Sequence, residues 1–477
     1  MPTTNGNRKI LDIKRWEFLS PAPVASQAGA VVEGSRHFRQ QQLFLRSNTE
    51  AYLYLPLEDG WVQLPSPALA GTFGAGASAC SGAMSIGTAT AAASLTATGG
   101  TTSTIVTNQT LARDLRGYSV HILAGPNAGV TLEILSNTIG ANATITVTAQ
   151  ASAFSASTVY RLITPVWYVV GAGTLAAASF RKYDFATNTW TTLSQTGLPA
   201  TIGTDGRLIA TPSWVDSGYL AFGSGTATGA TTTTLTQTGK TWATNQWANS
   251  QVRIVSGTGA GQIRTISSNT ADTLTVSAAW ATSPDATSVY QVTGNDDFIY
   301  YMGNNAVTLY RYSITSNTWT TLTPGVARAG APAAGMGGHW IYAVTASDWT
   351  SESAIQNGRY IYSFRGGAGT ALDRYDIAAN AWAAVTYSPA TETFAAGTKY
   401  VYQADHLYLQ KEATGRWFRY DLARSGMDGW NTMLYPQGAA VVGDSAFGVS
   451  YFDGATRIDY AYILLNTSNV LLRQMVI

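Results

Sequence analysis

The sequence of 477 residues has one cysteine, Cys80, four histidines and only 12% charged residues. A single cysteine excludes an intrachain disulfide and any cysteine-based zinc site. His37, His121, His339 and His406 are scattered singly, none with a second histidine at ligand spacing, so neither a metal nor a cofactor is expected. Lys and Arg (28) nearly cancel Asp and Glu (27), leaving +1. That removes the long-range field that would draw in nucleic acid or a membrane surface, and nucleic acid is not an expected partner. The seven Lys and Arg of the first 46 residues are the local exception and read as a docking arm. No apolar run reaches the length of a membrane span, and the start "MPTTNGNRKILDIKRWEF" lacks the apolar stretch of an export signal. Membrane insertion is therefore not expected. Helical periodicity is almost absent as well.

What is abundant is glycine (47 residues), threonine and aromatics (11%). Thr, Tyr, Trp and Val suit pleated surfaces and Gly interrupts helices, so the composition points to strands joined by many turns.

The strands repeat. "RKYDFATNTWTTL" at 181 to 193 returns as "YRYSITSNTWTTL" at 310 to 322. A Tyr followed seven residues later by a Trp occurs at Tyr54/Trp61, Tyr183/Trp190, Tyr312/Trp319 and Tyr375/Trp382, with a longer copy at Tyr420/Trp430. Each reads as a strand, a short turn and a strand opening on Trp. Asn188, Asn317 and Asn380 stand two residues before their Trp, where a left-handed backbone closes a hairpin and Asn tolerates it. A further apolar strand lies upstream of each copy: "VWYVVGAG", "DFIYYMGN", "GRYIYSFRGG" and, at 399 to 409, "KYVYQADHLYL". Four strands per unit make a blade. A degraded sixth unit at 448 to 472 keeps Tyr462 but has Val470 where a Trp is expected.

These residues resemble the kelch-type β-propeller, whose blades pair a glycine-terminated second strand with a Tyr and a Trp at fixed offset. The doublet survives fully only at Gly366-Gly367. The resemblance implies an all-β chain with a six-bladed kelch-like β-propeller built from 38–86, 163–222 and 293–477, behind an arm at 1–37.

The intervals Tyr54 to Tyr183 and Tyr183 to Tyr312 are both 129 residues, too long for one blade. The surplus is itself repeated: "SVHILAGPNAGVTLEILSNTIGANATITV" (119 to 147) matches "QVRIVSGTGAGQIRTISSNTADTLTV" (251 to 276). Two inserted small β-domains are therefore expected at 87–162 and 223–292, after the first strand of consecutive blades. Gly257, Gly259 and Gly261 do not read as a phosphate loop, since a strand-like segment follows and no Lys-Ser/Thr. The module's phrasing resembles small β-modules of tailed-bacteriophage structural proteins.

Catalytic chemistry is not legible. Glu58, Asp59, Asp296 and Asp297 sit at predicted turns, where acids serve the backbone, and Glu352 and Glu392 are isolated. No Ser-x-Asp-x-Gly-x-Thr-Trp box of the sialidase-type propellers occurs, and Cys80 lies in "GASACSGAMS", unlike the cross-linked cysteine of galactose-oxidase-type propellers. The sequence therefore predicts no catalytic residues. It predicts a non-enzymatic virion structural protein of the tail, neck or fibre, assembled in the host cytoplasm and oligomeric within the particle. Its partners would be other virion proteins and host surface glycan. The alternative is a carbohydrate-binding or carbohydrate-active propeller acting on the host envelope. If binding runs through exposed aromatics, Trp242, Trp247 and Trp280 of the second module are the candidates, because the first module has no Trp there.

Overall fold

A computed structural model gives the fold, and the structure describes residues 17–27, 30–34, 41–56, 58–71, 73–74, 76–85, 94–112, 114–116, 118–211, 214–215, 218–219, 221–303, 306–333, 337–340, 359–367, 371–385, 393–395, 398–403, 406–411, 416–421, 430–433, 445–453, 456–465 and 468–476. Among them there are strands and no helix, and hence no helix long and apolar enough to cross a membrane.

Six antiparallel four-stranded meanders account for the propeller. Blade 1 is Val31–Gly34, Gln42–Leu45, Ala51–Leu55 and Gly60–Gln63. Blade 2 is Ser78–Ser85, Val159–Val170, Phe180–Asp184 and Thr189–Thr192. Blade 3 is Arg207–Ala210, Phe298–Met302, Leu309–Ser313 and Thr318–Leu322. Blade 4 is Gly337–Trp340, Tyr360–Phe364, Leu372–Asp376 and Ala381–Val385. Blade 5 is Lys399–Gln403, His406–Gln410, Trp417–Asp421 and Trp430–Met433. Blade 6 takes Ser445–Asp453, Thr456–Leu464 and Leu471–Val476 from the C-terminus and its outermost strand, Glu17–Phe18, from the N-terminus. The six innermost strands touch one another in sequence, and that of blade 6 returns to that of blade 1, so the ring is closed. The chain is a six-bladed β-propeller.

Each blade is a sheet held between two others, so both faces must be apolar and strict alternation gives way to continuous burial. In Gln42–Leu45 all four residues are buried. Leu43 and Leu45 face the cluster holding Trp167 and Val169 of blade 2, while Phe44 faces Tyr462 and Leu464 of blade 6.

Two expectations need correction. The N-terminal segment is no separate arm over its whole length: Glu17–Phe18 and Val31–Gly34 are strands of blades 6 and 1, because a ring avoids open edges by lending a strand from one terminus to the other. The stretch 399 to 409 is two strands, Lys399–Gln403 and His406–Gln410, the first of them innermost. His37, Glu352 and Glu392 lie outside the described residues.

The two inserts leave blades 2 and 3 between first and second strands. In the first, strands Leu95–Gly100, Thr104–Thr107, Thr144–Val147, Thr131–Asn137 and Ser119–Ala124 pair in that order, and both end members pair with Val159–Val170, closing a small barrel. The second repeats the circuit with Ala221–Thr226 and Gly229–Ala230, Thr234–Thr236, Thr273–Val276, Ile263–Asn269, Gln251–Ser256 and Val289–Thr293. Its first strand starts at Ala221, inside the stretch read as propeller.

Candidate functional site

In an up-and-down blade, the connection between strands one and two shares an edge with the turn between strands three and four. The inserts therefore rise from the face that carries the Tyr–Trp hairpin turns. At those hairpins Tyr54 stands opposite Trp61, Tyr183 opposite Trp190, Tyr312 opposite Trp319, Tyr375 opposite Trp382 and Tyr420 opposite Trp430. The first four ring pairs lie 5.0, 5.1, 5.1 and 5.3 Å apart, tilted, each facing the preceding blade. Asn188, Asn317 and Asn380 have φ of 53°, 53° and 48°, and Asp59 has 46°. Their side chains accept the hydroxyls of Tyr183 (2.8 Å), Tyr312 (2.6 Å), Tyr375 (2.7 Å) and Tyr54 (2.7 Å).

The indoles bolt neighbouring blades together. Trp61, Trp190 and Trp319 donate Nε1 to the carbonyls of Ser20 (3.0 Å), Pro65 (2.9 Å) and Ser194 (3.1 Å). Each acceptor lies two residues beyond the outermost strand of the preceding blade. The Tyr and Trp residues of blades 1 to 4 are thus fixtures of the ring.

Above them, the barrels are anchored in several directions. Val159–Val170 runs without a break from barrel 1 into blade 2, and Phe185 and Ala186 of the blade 2 hairpin turn pack onto the core of that barrel, with Tyr118 and Phe185 rings 5.7 Å apart. In blade 3 the corresponding strand is interrupted between Val289–Thr293 and Phe298–Met302. Asn249 of barrel 2 donates to Ile377 O of blade 4 (3.1 Å) and accepts from Arg311 of blade 3 (2.9 Å).

The barrels also meet each other. The amide of Gly125 donates to Val255 O at 3.1 Å. A Cβ on Gly129 would sit 3.6 Å from Arg253 Nη2, and one on Gly261 would sit 2.8 Å from Val159 Cγ1. Both glycines have positive φ, 91° and 87°, so each turn is shaped for close approach to the other barrel. Arg161 of barrel 1 pairs with Asp296 at the foot of barrel 2 at 2.6 Å, both side chains under a tenth exposed. Asp297 accepts Ser313 Oγ at 2.6 Å and the Thr315 amide at 2.7 Å. Both acids are at a turn, as expected: Asp297 serves the backbone there, while Asp296 is buried in the pair with Arg161.

His121 is fully buried, its Nδ1 2.6 Å from Thr131 Oγ1. It occupies in barrel 1 the place of Arg253, which donates to Gln291 in barrel 2 at 2.5 Å. Among the described residues no group of three His, Cys, Asp or Glu is disposed to hold a metal ion. Cys80 is buried on the innermost strand of blade 2 opposite Tyr168.

The three candidate tryptophans sit where a filled barrel needs volume. Trp247 N–H donates to Asn269 Oδ1 as Leu115 N–H donates to Asn137 Oδ1, so Trp247 replaces a core leucine, and it is 6% exposed. Trp280, 5% exposed, stands where barrel 1 has Gln150, each amide bonded to the equivalent carbonyl, Thr232 or Thr102. Trp242 takes the place of Leu111 and is half-buried against Tyr290, rings 6.5 Å apart. Exposure is therefore not the state of Trp247 or Trp280, and the sequence difference that drew attention to them is a repacking of the core.

No family model and no curated protein matches this chain. Among solved structures, YCF48 bound to a D1 peptide is 8% identical with a TM-score of 0.33, covering 97% of this chain and 96% of that one. The six-bladed lectin of Aleuria aurantia, with its fucose recognition, is 9% identical with a TM-score of 0.36 over 93% of each chain. AofleA of Arthrobotrys oligospora is 9% identical with a TM-score of 0.34, covering 97% of this chain and 86% of that one.

Proposed function

We propose that the protein is a non-catalytic structural component of a tailed-bacteriophage particle, in which the propeller is a rigid disc and the paired barrels are its docking platform. The observation that carries this is the anchoring of the barrels to blades 2, 3 and 4 and to each other, through Val159–Val170, Arg161–Asp296 and Asn249. Modules tethered by flexible linkers would sample many orientations and lose entropy on binding, whereas a preset pair does not. The phage assignment is supported by the resemblance of the module sequence. Neighbouring particle proteins are the partners it implies, and the particle is its location.

Glycan binding is the second reading, and it would have to use surfaces other than Trp247 and Trp280, which are committed to the barrel core. Mass spectrometry of purified particles tests the first reading: the protein is expected as a stoichiometric component, and its absence would overturn it. Purified protein is expected to hydrolyse no glycoside and oxidise no sugar; turnover that disappears on replacing one acid would defeat the non-catalytic reading.

A further inference from the structure

Blade 6 is the one blade assembled from both ends of the chain. Its outermost strand, Glu17–Phe18, meets only Arg473 and Leu472 of Leu471–Val476. Beyond it, the amides of Leu19, Ala22 and Ser26 donate to Leu471, Asn469 and Ser468 carbonyls at 3.0, 2.7 and 3.0 Å. The same segment is fastened to blade 1 at Ser20, whose amide donates to Asp59 Oδ1 at 2.9 Å and whose carbonyl accepts Trp61 Nε1 at 3.0 Å, and at Arg46, whose Nε donates to Ala25 O at 2.8 Å and whose carbonyl accepts Gln27 Nε2 at 2.9 Å.

This seam has an equivalent between blades 2 and 3. There Ser194 N–H donates to Asn317 Oδ1 at 2.9 Å and Ser194 O accepts Trp319 Nε1 at 3.1 Å. The geometry is the same, but the acceptor is an amide at 317 and a carboxylate at 59. The turn residues of blades 2 and 4 are also neutral, Asn188 and Asn380.

The charged groups around the closing seam fall at its two ends, with Arg46, paired to Glu50, at the Ala25–Gln27 end and Asp59 at the Ser20 end. Asp59 faces Tyr54 and Ser20, with Glu58 beside it and Arg473 close enough to act on it. Arg473 donates Nε to Glu17 at 2.7 Å, lies 4.7 Å from the Tyr460 ring centroid and also bonds Tyr462.

We propose that the ring closure is an acid-sensitive latch, in which protonation of Asp59 loosens the Ser20 end of the N-terminal segment from blade 1 while seams built on asparagine stay shut. The sign follows from Asp59. Burial raises its pKa, but the bonds from Tyr54 and Ser20 and the charge of Arg473 outweigh that and hold it below the usual carboxylate value. A carboxylate with a lowered folded-state pKa stabilises the seam above about pH 4 and loses that contribution as pH falls through its own lower value. Asp59 is exposed, so salt screens the effect, and it is largest at low ionic strength.

The test is hydrogen exchange of the intact protein at low salt, comparing the Ser20 and Ser194 segments from about pH 6.5 to about pH 2.5, so that the range passes below the ordinary carboxylate value, each corrected for its intrinsic rate. Ser20 is expected to exchange several-fold faster at the acid end, with Ser194 unchanged. Asp59→Asn, which copies the other turns, should abolish the acid response without unfolding, and Asn317→Asp should confer it on Ser194. The proposal is overturned if both segments lose protection together, if Ser20 is flat with pH, or if Asp59→Asn keeps the wild-type response.

Discussion

The hydroxyl of Tyr312 donates to Oδ1 of Asn317 at 2.6 Å, five residues along the same hairpin, and that oxygen also accepts the amide of Ser194 from blade 2 at 2.9 Å. One side chain thus fixes a turn and a seam between blades, from a backbone conformation that other residues resist.

Removing either half of that link separates the two roles. Tyr312→Phe should lose one hydrogen bond, about 1 kcal/mol. Asn317→Ala should cost about 2 to 3 kcal/mol, because two donors, one of them part-buried, lose an acceptor and alanine takes on the left-handed backbone. Asn317→Gly, relieved of the backbone strain, should fall between. Denaturant titrations with matched slopes check the order.

Trp319 supplies volume and a donor. Trp319→Phe keeps most of the ring contact with Phe180, 5.2 Å away, and loses the bond to Ser194 O, so about 1 kcal/mol or somewhat more is expected. Trp319→Ala should cost about 3 to 5 kcal/mol, since it opens a cavity between blades 2 and 3. Thermal melts should rank the two variants in that order.

At the barrel interface, Gly261→Ala should be worse than Gly239→Ala. Both glycines have positive φ, 87° and 89°, so both substitutions carry about 1 kcal/mol of backbone cost. Only at 261 would the new Cβ strike Val159; nothing lies within 4 Å at 239. Faster exchange at Gly125 in the 261 variant alone would mark the separation of the barrels. Equal effects of the two would show that the interface does not constrain Gly261.

The Arg161–Asp296 pair should show strong non-additivity. Asp296→Leu leaves a buried guanidinium without its carboxylate and should cost about 3 to 5 kcal/mol, whereas Arg161→Met with Asp296→Leu should recover most of that. A double-mutant cycle by chemical denaturation measures the coupling.

Much of the propeller is legible in the sequence because it is local. A Tyr and a Trp seven residues apart, with Asn or Asp two before the Trp, describe a hairpin whose register depends on turn length alone; four such hairpins and the longer Tyr420/Trp430 copy place five blades. The two inserts were visible as a repeat for the same reason. The tryptophans of the second insert were not interpretable in this way: Trp247 stands where barrel 1 has Leu115, and whether a ring fills a core or faces solvent depends on what surrounds it.

The sequence by itself thus determined the Tyr–Trp hairpins and the number of repeats, set by neighbours within a dozen residues. Only the tertiary structure decided that Glu17–Phe18 closes blade 6, that Asp296 reaches Arg161, and that Gly129 and Gly261 face the opposite barrel. Those contacts join segments more than a hundred residues apart, which no local propensity encodes.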